Sequence, residues 1–256
     1  MKVAYHISKR AKIAMLLMTV ASLIGFTEIS VSDILCDKVV ISIHNANDNH
    51  FVSERDILEL IEKENPNLVG RPFSELDLKS MERAVLLNKY IESCDIFKDI
   101  KGVLYIRTFL RRPMARIVQK NGPGAYITAK GEIIPLSENY SARVLIISGD
   151  YAKYLLSTDF EGFSKHNSFL EMINFINNDS FWSAQIAQLD INKWGNIIML
   201  PQVTRQQIDF GSAEGYEQKF KKLTLFYKEI LPRQGWNAYT RVNVKFDNQI
   251  IAEKPQ

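Results

Sequence analysis

The chain has 256 residues, 46% of them hydrophobic and 24% charged, with a formal net charge of +3. That balance excludes a disordered polyelectrolyte, and lysines scattered along the chain exclude the basic stripe of a nucleic-acid-binding surface. Two cysteines, Cys36 and Cys94, are too few and too far apart for a zinc site.

Lys2, Lys9, Arg10 and Lys12 open the chain, and the run IAMLLMTVASLIGFT (13–27) carries no charge. As a helix that run is about 22 Å long against roughly 30 Å of hydrocarbon. Continuing through Glu28 to Val31, with Lys12 reaching back to the near surface, makes up most of the difference. A cleaved signal peptide is the competing reading, but a cut after TVA (19–21) leaves too short an apolar core. A lipoprotein signal fails because Asp33, Ile34 and Leu35 precede Cys36 where small residues are needed. The expectation is a cytoplasmic tail (1–12), a single transmembrane helix (13–31), a linker (32–37) and an exported body. In an oxidising compartment Cys36 and Cys94 either join in one disulfide or remain two buried thiols, and the sequence leaves both open.

The β-branched run VVISIHN (39–45) predicts a strand, and SERDILELIEKE (53–64) a helix with Ser53 as N-cap and Asp56 closing a capping box. Ile57, Leu58, Leu60 and Ile61 give it a buried stripe. A second helix begins after Asp77, with Leu78, Met81, Ala84, Val85, Leu87 and Ile91 at helical spacing. Strands at IFKDI (96–100) and GVLYIRTFL (102–110) complete a β-α-α-β-β order, a small α+β module with both helices on one sheet face. That is the arrangement of a POTRA domain, expected over residues 38–118. The polar loop HNANDNH (44–50) offers His44, Asp48 and His50, but their spacing matches no regular face and a solvated turn accounts for it, so no metal is expected.

Beyond it, NGPG (121–124) is a turn cluster and AYITAKGEIIPL (125–136) a hairpin bending at Lys130 and Gly131. SFLEMINFINN (168–178) is a helix turning Phe169, Met172, Ile173 and Ile176 inward. AQIAQLDI (184–191) and NIIMLPQ (196–202) flank the turn NKWG, another hairpin, and QQIDFGS (206–212) adds a strand. A long helix follows, with Tyr216, Phe220, Leu223, Tyr227 and Ile230 on one seam, stopped by Pro232 and Gly235. RVNVKFDNQII (241–251) then alternates, with Val242, Val244 and Phe246 on one face and Arg241, Asn243, Lys245 and Asp247 on the other, as a half-buried strand does.

This order of features resembles the FtsQ/DivIB family of bacterial cell-division proteins. The resemblance spans essentially the whole chain and rests on three pieces. RRPMARI (111–117) is similar to the family's arginine-proline-alanine step, and AYITAKGEIIPL to its tyrosine-to-glycine hairpin. The run from IDFGSAEGYEQKFKKLTLFY to YTRVNVKF is similar to its strand-glycine, lysine-rich helix and final strand. In the last strand Lys245 and Phe246 stand where the family often has arginine and tyrosine, and Thr128 where it often has an acid.

The resemblance implies an α+β fold with one transmembrane helix, a POTRA domain and a curved, mainly antiparallel β domain (119–256) with two helices. It also implies a divisome scaffold in the inner membrane at the division septum, with its body in the periplasm. The implied partners are small membrane proteins of the FtsB and FtsL type and, through them, the septal peptidoglycan synthase. A partner segment would add as a strand along the C-terminal margin, with Arg241, Asn243, Lys245, Phe246, Asn248 and Ile250 as contacts. The chain has no G-x-S-x-G elbow, H-E-x-x-H pair or P-loop. Asp95, Asp99 and Asp159 show no acid/base logic, so neither catalysis, a cofactor nor a small-molecule substrate is expected. The rival readings are a POTRA adaptor for envelope protein assembly, which usually carries several such modules or a barrel, and a secreted enzyme.

Overall fold

The computed structural model of the chain describes residues 9–32, 34–45, 49–156 and 165–255. Two compact units make it up, Met1–Leu110 and Arg111–Gln256. The RRP step therefore opens the second unit, ahead of the boundary expected at 118.

Helix α1 (Lys9–Ser32) covers the apolar run. Every residue from Lys12 to Ser22 is exposed, Ile13, Leu16, Leu17 and Val20 among them. The apolar residues of this run follow no single stripe along the helix. Residues 1–8 of the expected tail, the side chains of 23–33, and Asp48 and Asp159 lie outside the described residues. Among the described residues no helix is long and apolar enough to cross a membrane.

In the first unit β1 (Lys38–His44), α2 (Glu54–Glu62), α3 (Leu78–Leu86), β2 (Ile91–Lys98) and β3 (Val103–Leu110) follow the expected order. β3 is central, parallel to β1 and antiparallel to β2. The capping box at α2 is present: Asp56 N–H donates to the Ser53 hydroxyl, and Ser53 N–H to the Asp56 carboxylate at 2.8 Å. That second bond is the main cause holding the Asp56 carboxyl below its usual range. Ile57 and Ile61, with Met81, Ala84 and Val85, are buried along with Leu104, Ile106 and Leu110, while Leu58 and Leu60 are only partly covered. α3 is shorter than its periodicity suggests. It stops at Leu86, leaving Leu87 79% exposed, and Ile91 starts β2 instead. Cys36 and Cys94 are free, buried thiols, which decides between the two alternatives. His44 stacks on Phe109 at 4.6 Å, and among the described residues no acidic, histidine and cysteine cluster is placed to hold a metal.

In the second unit, β4 (Pro113–Ile117), β5 (Ala125–Thr128), β6 (Ile133–Pro135), β7 (Leu145–Ser148), β8 (Ile186–Ile191), β9 (Ile197–Pro201), β10 (Gln207–Gly211), β11 (Arg241–Asn243) and β12 (Ile251–Glu253) form one sheet. Its order is β12-β11-β10-β9-β8-β7-β4-β5-β6. The sheet is mixed, because β7 runs parallel to both β4 and β8, and β11 parallel to β10. The expected hairpins at β5–β6 and β8–β9 are present. In the first, the buried Tyr126 accepts the Ala142 N–H at its hydroxyl, 3.1 Å away, and Thr128 closes the turn by accepting the Glu132 N–H. Arg111 pairs with Glu132 and is the leading cause of that carboxyl's lowered pKa.

The two expected helices are α5 (Lys165–Asn178) and α7 (Tyr216–Leu225), but α4 (Ala152–Leu155) and α6 (Ser180–Gln185) add two short ones. Phe169, Met172, Ile173 and Ile176 of α5 share one core with Phe220, Leu223 and the strands. Pro232 does not stop the long helix as expected. α7 runs into a π turn (Phe226–Ile230) and on through α8 (Leu231–Gln234), with Pro232 in its first turn. The Leu231 N–H reaches back five residues to the Phe226 carbonyl, and a first-turn proline has no missing partner there. Gly235, at φ +99°, ends the element.

Candidate functional site

β11 and β12 close one side of the large sheet. A parallel neighbour to β10 requires a crossover, and the α7–α8 helix supplies it, bringing the chain back to lay β11 alongside β10. Asp209 is central here: its carbonyl accepts the Val244 N–H at 3.0 Å.

The single strand expected over 241–251 is not what forms. β11 ends at Asn243, the chain turns, and β12 returns antiparallel with Arg241 opposite Glu253, Val242 opposite Ala252 and Asn243 opposite Ile251. Arg241 and Asn243 therefore do not lie on a free edge, because the protein's own β12 covers it. Three causes, one distant and two local, break the strand. The Lys222 ammonium donates to the carbonyls of Val244 and Phe246, each at 2.6 Å, and draws both out of any ladder. The Asn243 side chain accepts the Lys245 N–H at 3.0 Å. Asn248 takes a left-handed φ of 57°, which asparagine tolerates better than most residues.

The six expected contact residues thus lie on one hairpin, in different roles. Arg241 lies on the outer face, exposed, and forms a bidentate pair with Asp209, at 2.8 and 3.1 Å, and that partner raises its pKa. Asn243 is half-buried and bonded within the turn. Lys245 lays its aliphatic stem over Gly211: a Cβ there would stand 2.8 Å from Lys245 Cγ, and Gly211 has φ +78°. Phe246 leaves the inward face that it was expected to share with the buried Val242 and Val244, and is 50% exposed. Asn248 shapes the turn, and Ile250 packs partly against the core.

Sequence reasoning missed β12 itself. Its outer side has no neighbouring strand among the described residues, and its first residue, Ile251, is 42% exposed. The signal was present: Asp247-Asn248 is a turn pair, and flanking β-branched residues on both sides of it mark a hairpin. Chemically, this margin offers spare main-chain donors and acceptors beside two half-exposed apolar side chains, Phe246 and Ile251.

A family model described as FtsQ/DivIB, C-terminal related, matches residues 112–253, and one described as a POTRA-like domain matches residues 34–108. No curated protein matches the chain. The first match spans more than half of the chain and ends at the last residue of β12, and the second covers the β-α-α-β-β unit. The chain belongs to the FtsQ/DivIB family.

Proposed function

We propose that the chain is a membrane-anchored scaffold of the cell-division machinery that captures partner segments by strand addition and carries out no reaction of its own. The observation that carries this reading is the outer side of β12, which has no strand neighbour among the described residues, with Phe246 and Ile251 half exposed beside it. A segment laid there gains main-chain hydrogen bonds, and alternate side chains supply selectivity. β12 is short and is followed by Lys254 and Pro255, features that discourage indiscriminate edge pairing.

The anchor in this reading is α1, whose uncharged run 13–27 follows Arg10 and Lys12, with the N-terminus cytoplasmic and both units exported. The partners are membrane proteins of the FtsB and FtsL type, and through them the septal peptidoglycan synthase. The contact set is revised to β12 together with Lys245, Phe246, Asn248 and Ile250, while Arg241 and Asn243 hold the hairpin in place.

Co-purification from membranes tests the reading. The full chain should bring down division partners, and a chain ending at Asn248 should not, while its first unit stays folded. Retained capture by the shortened chain refutes strand addition at β12. Even distribution around the envelope, with division intact on depletion, points instead to a POTRA adaptor in envelope assembly.

A further inference from the structure

Three segments lie side by side at one end of the first unit. Cys36 N–H donates to the Arg71 carbonyl at 2.8 Å and Gly70 N–H to the Cys36 carbonyl at 2.7 Å, tying residues 34–38 to the loop 68–72. On the other side, the Asp37 and Lys38 N–H groups share the Gly102 carbonyl at 2.8 and 3.3 Å, tying the same residues to the turn 99–102. The turn is stiff. Asp99 accepts the N–H groups of Lys101 and Val103 on one carboxylate oxygen. Gly102, at φ +83°, has no room for a Cβ, which would meet the Leu35 carbonyl at 2.8 Å.

Each segment carries an exposed apolar side chain: Leu35 at 47%, Val69 at 60% and Ile100 at 75%. Loop tips of a soluble module are ordinarily polar, and three rigidly tied apolar tips at one end need a cover. The end is also the one at which α1 delivers the chain. From Ser32, the last residue of α1, to Leu35 is three residues, a reach of about 10 Å at most. With α1 ending at a bilayer surface, that short reach keeps this end of the unit close to the interfacial layer.

We propose that this end of the POTRA-like unit is a lipid-contact surface, with Leu35, Val69 and Ile100 set into the headgroup–acyl boundary of the bilayer that α1 enters. The inference rests on the anchor assigned under the proposed function. Charges around the tips nearly balance: four cations, Lys38, Lys98, Lys101 and Arg71, stand in these segments with three anions, Asp37, Asp99 and Glu75, Arg71 pairing with Glu75 at 3.5 Å and Lys98 lying over the Phe73 ring at 5.6 Å. Attachment is therefore apolar rather than headgroup-selective, with Lys38 and Lys101 reaching up to the phosphates along their stems. The consequence is orientational: the unit is held with the β2–β3 turn against the membrane instead of swinging on a free tether.

The test uses the full chain reconstituted in phosphatidylethanolamine/phosphatidylglycerol vesicles with brominated acyl chains. A polarity-sensitive fluorophore is placed by Ile100→Cys, Val69→Cys or Leu87→Cys, the native thiols being buried. Leu87 is the control. It is 79% exposed, and it lies at the other end, since Ile91 pairs with Leu110 while Lys98 pairs with Leu104. Blue-shifted emission and loss of fluorescence by bromolipid at positions 69 and 100, but not at 87, is the expected result. Vesicle flotation without that difference overturns the lipid contact and leaves the anchor standing. Failure of the chain to float with vesicles overturns the anchor and this inference with it.

Discussion

Asp209 and Arg241 form a two-point pair across neighbouring parallel strands, Arg241 Nε and a terminal nitrogen each donating to one carboxylate oxygen at 2.8 and 3.1 Å. Asp209 is 5% exposed, and its backbone carbonyl accepts from Val244 just beyond β11. One residue of β10 therefore secures β11 by its side chain at the start and by its main chain at the end. The margin proposed for capture is built on that residue.

Arg241→Ala leaves the buried Asp209 carboxylate without its donor. Leaving a buried acceptor unmet costs about 1–3 kcal/mol, and the half-exposed Arg241 side chain, partly replaced by water, puts the effect in the lower part of that range. The expected outcome is a lower urea midpoint for the second unit with the first unit's transition unmoved. An unchanged midpoint removes the pair from the account of how the hairpin is held.

Lys222 shapes the turn rather than the strand. Lys222→Met keeps the stem and deletes the ammonium that gathers the Val244 and Phe246 carbonyls. Hydrogen exchange of the Ile251 to Glu253 amides should speed up, because β12 pairs only through a hairpin whose turn has lost its clasp. Exchange in β8 and β9 should stay as it was. Acceleration spread over the whole sheet would contradict a local role.

Phe246→Ala should weaken partner capture more than Lys245→Ala. Truncating the aromatic removes a large exposed contact, and aromatic anchors dominate interface energetics, whereas the Lys245 stem is already spent covering Gly211. Binding titrations of the two variants against a purified partner segment compare them directly. Equal losses, or a larger loss for Lys245, would move the contact away from the turn.

Most of the fold was legible because it follows from short-range rules. The capping box at Ser53, the Gly131 and Gly195 hairpins and the inward face of α5 are all written in adjacent residues. β7 was missed for a physical reason: it is a short apolar run between two parallel neighbours, β4 and β8, and neither alternation nor a turn partner marks such a strand. The C-terminal margin was misread where a distant residue decides. Val242, Val244 and Phe246 do alternate, but Lys222, on a helix, claims two of the strand's carbonyls, and local periodicity carries no trace of that. Arg241 does lie on the outward face that its spacing predicts; what the spacing could not show is its partner, Asp209, on another strand.

Cys94 gives a prediction with a definite sign. Burial foremost, then the charges of Glu82 and Asp95, pushes its thiol from 9.0 up to about 12. Its neutral form is therefore favoured in the folded chain. The associated stability is fully present below the unfolded value of 9.0 and is lost as pH rises from there toward about 12. Other groups titrate in the same window, so the readout is a difference: the advantage of the unaltered chain over Cys94→Ala should be largest near neutral pH and smaller at about pH 10.5. Urea midpoints of the first unit at the two pH values measure it, and a thiol reagent at neutral pH should label Cys94 only as fast as the unit opens. A constant gap between the two chains, or prompt labelling, would mean that Cys94 is not held neutral among the residues of this core.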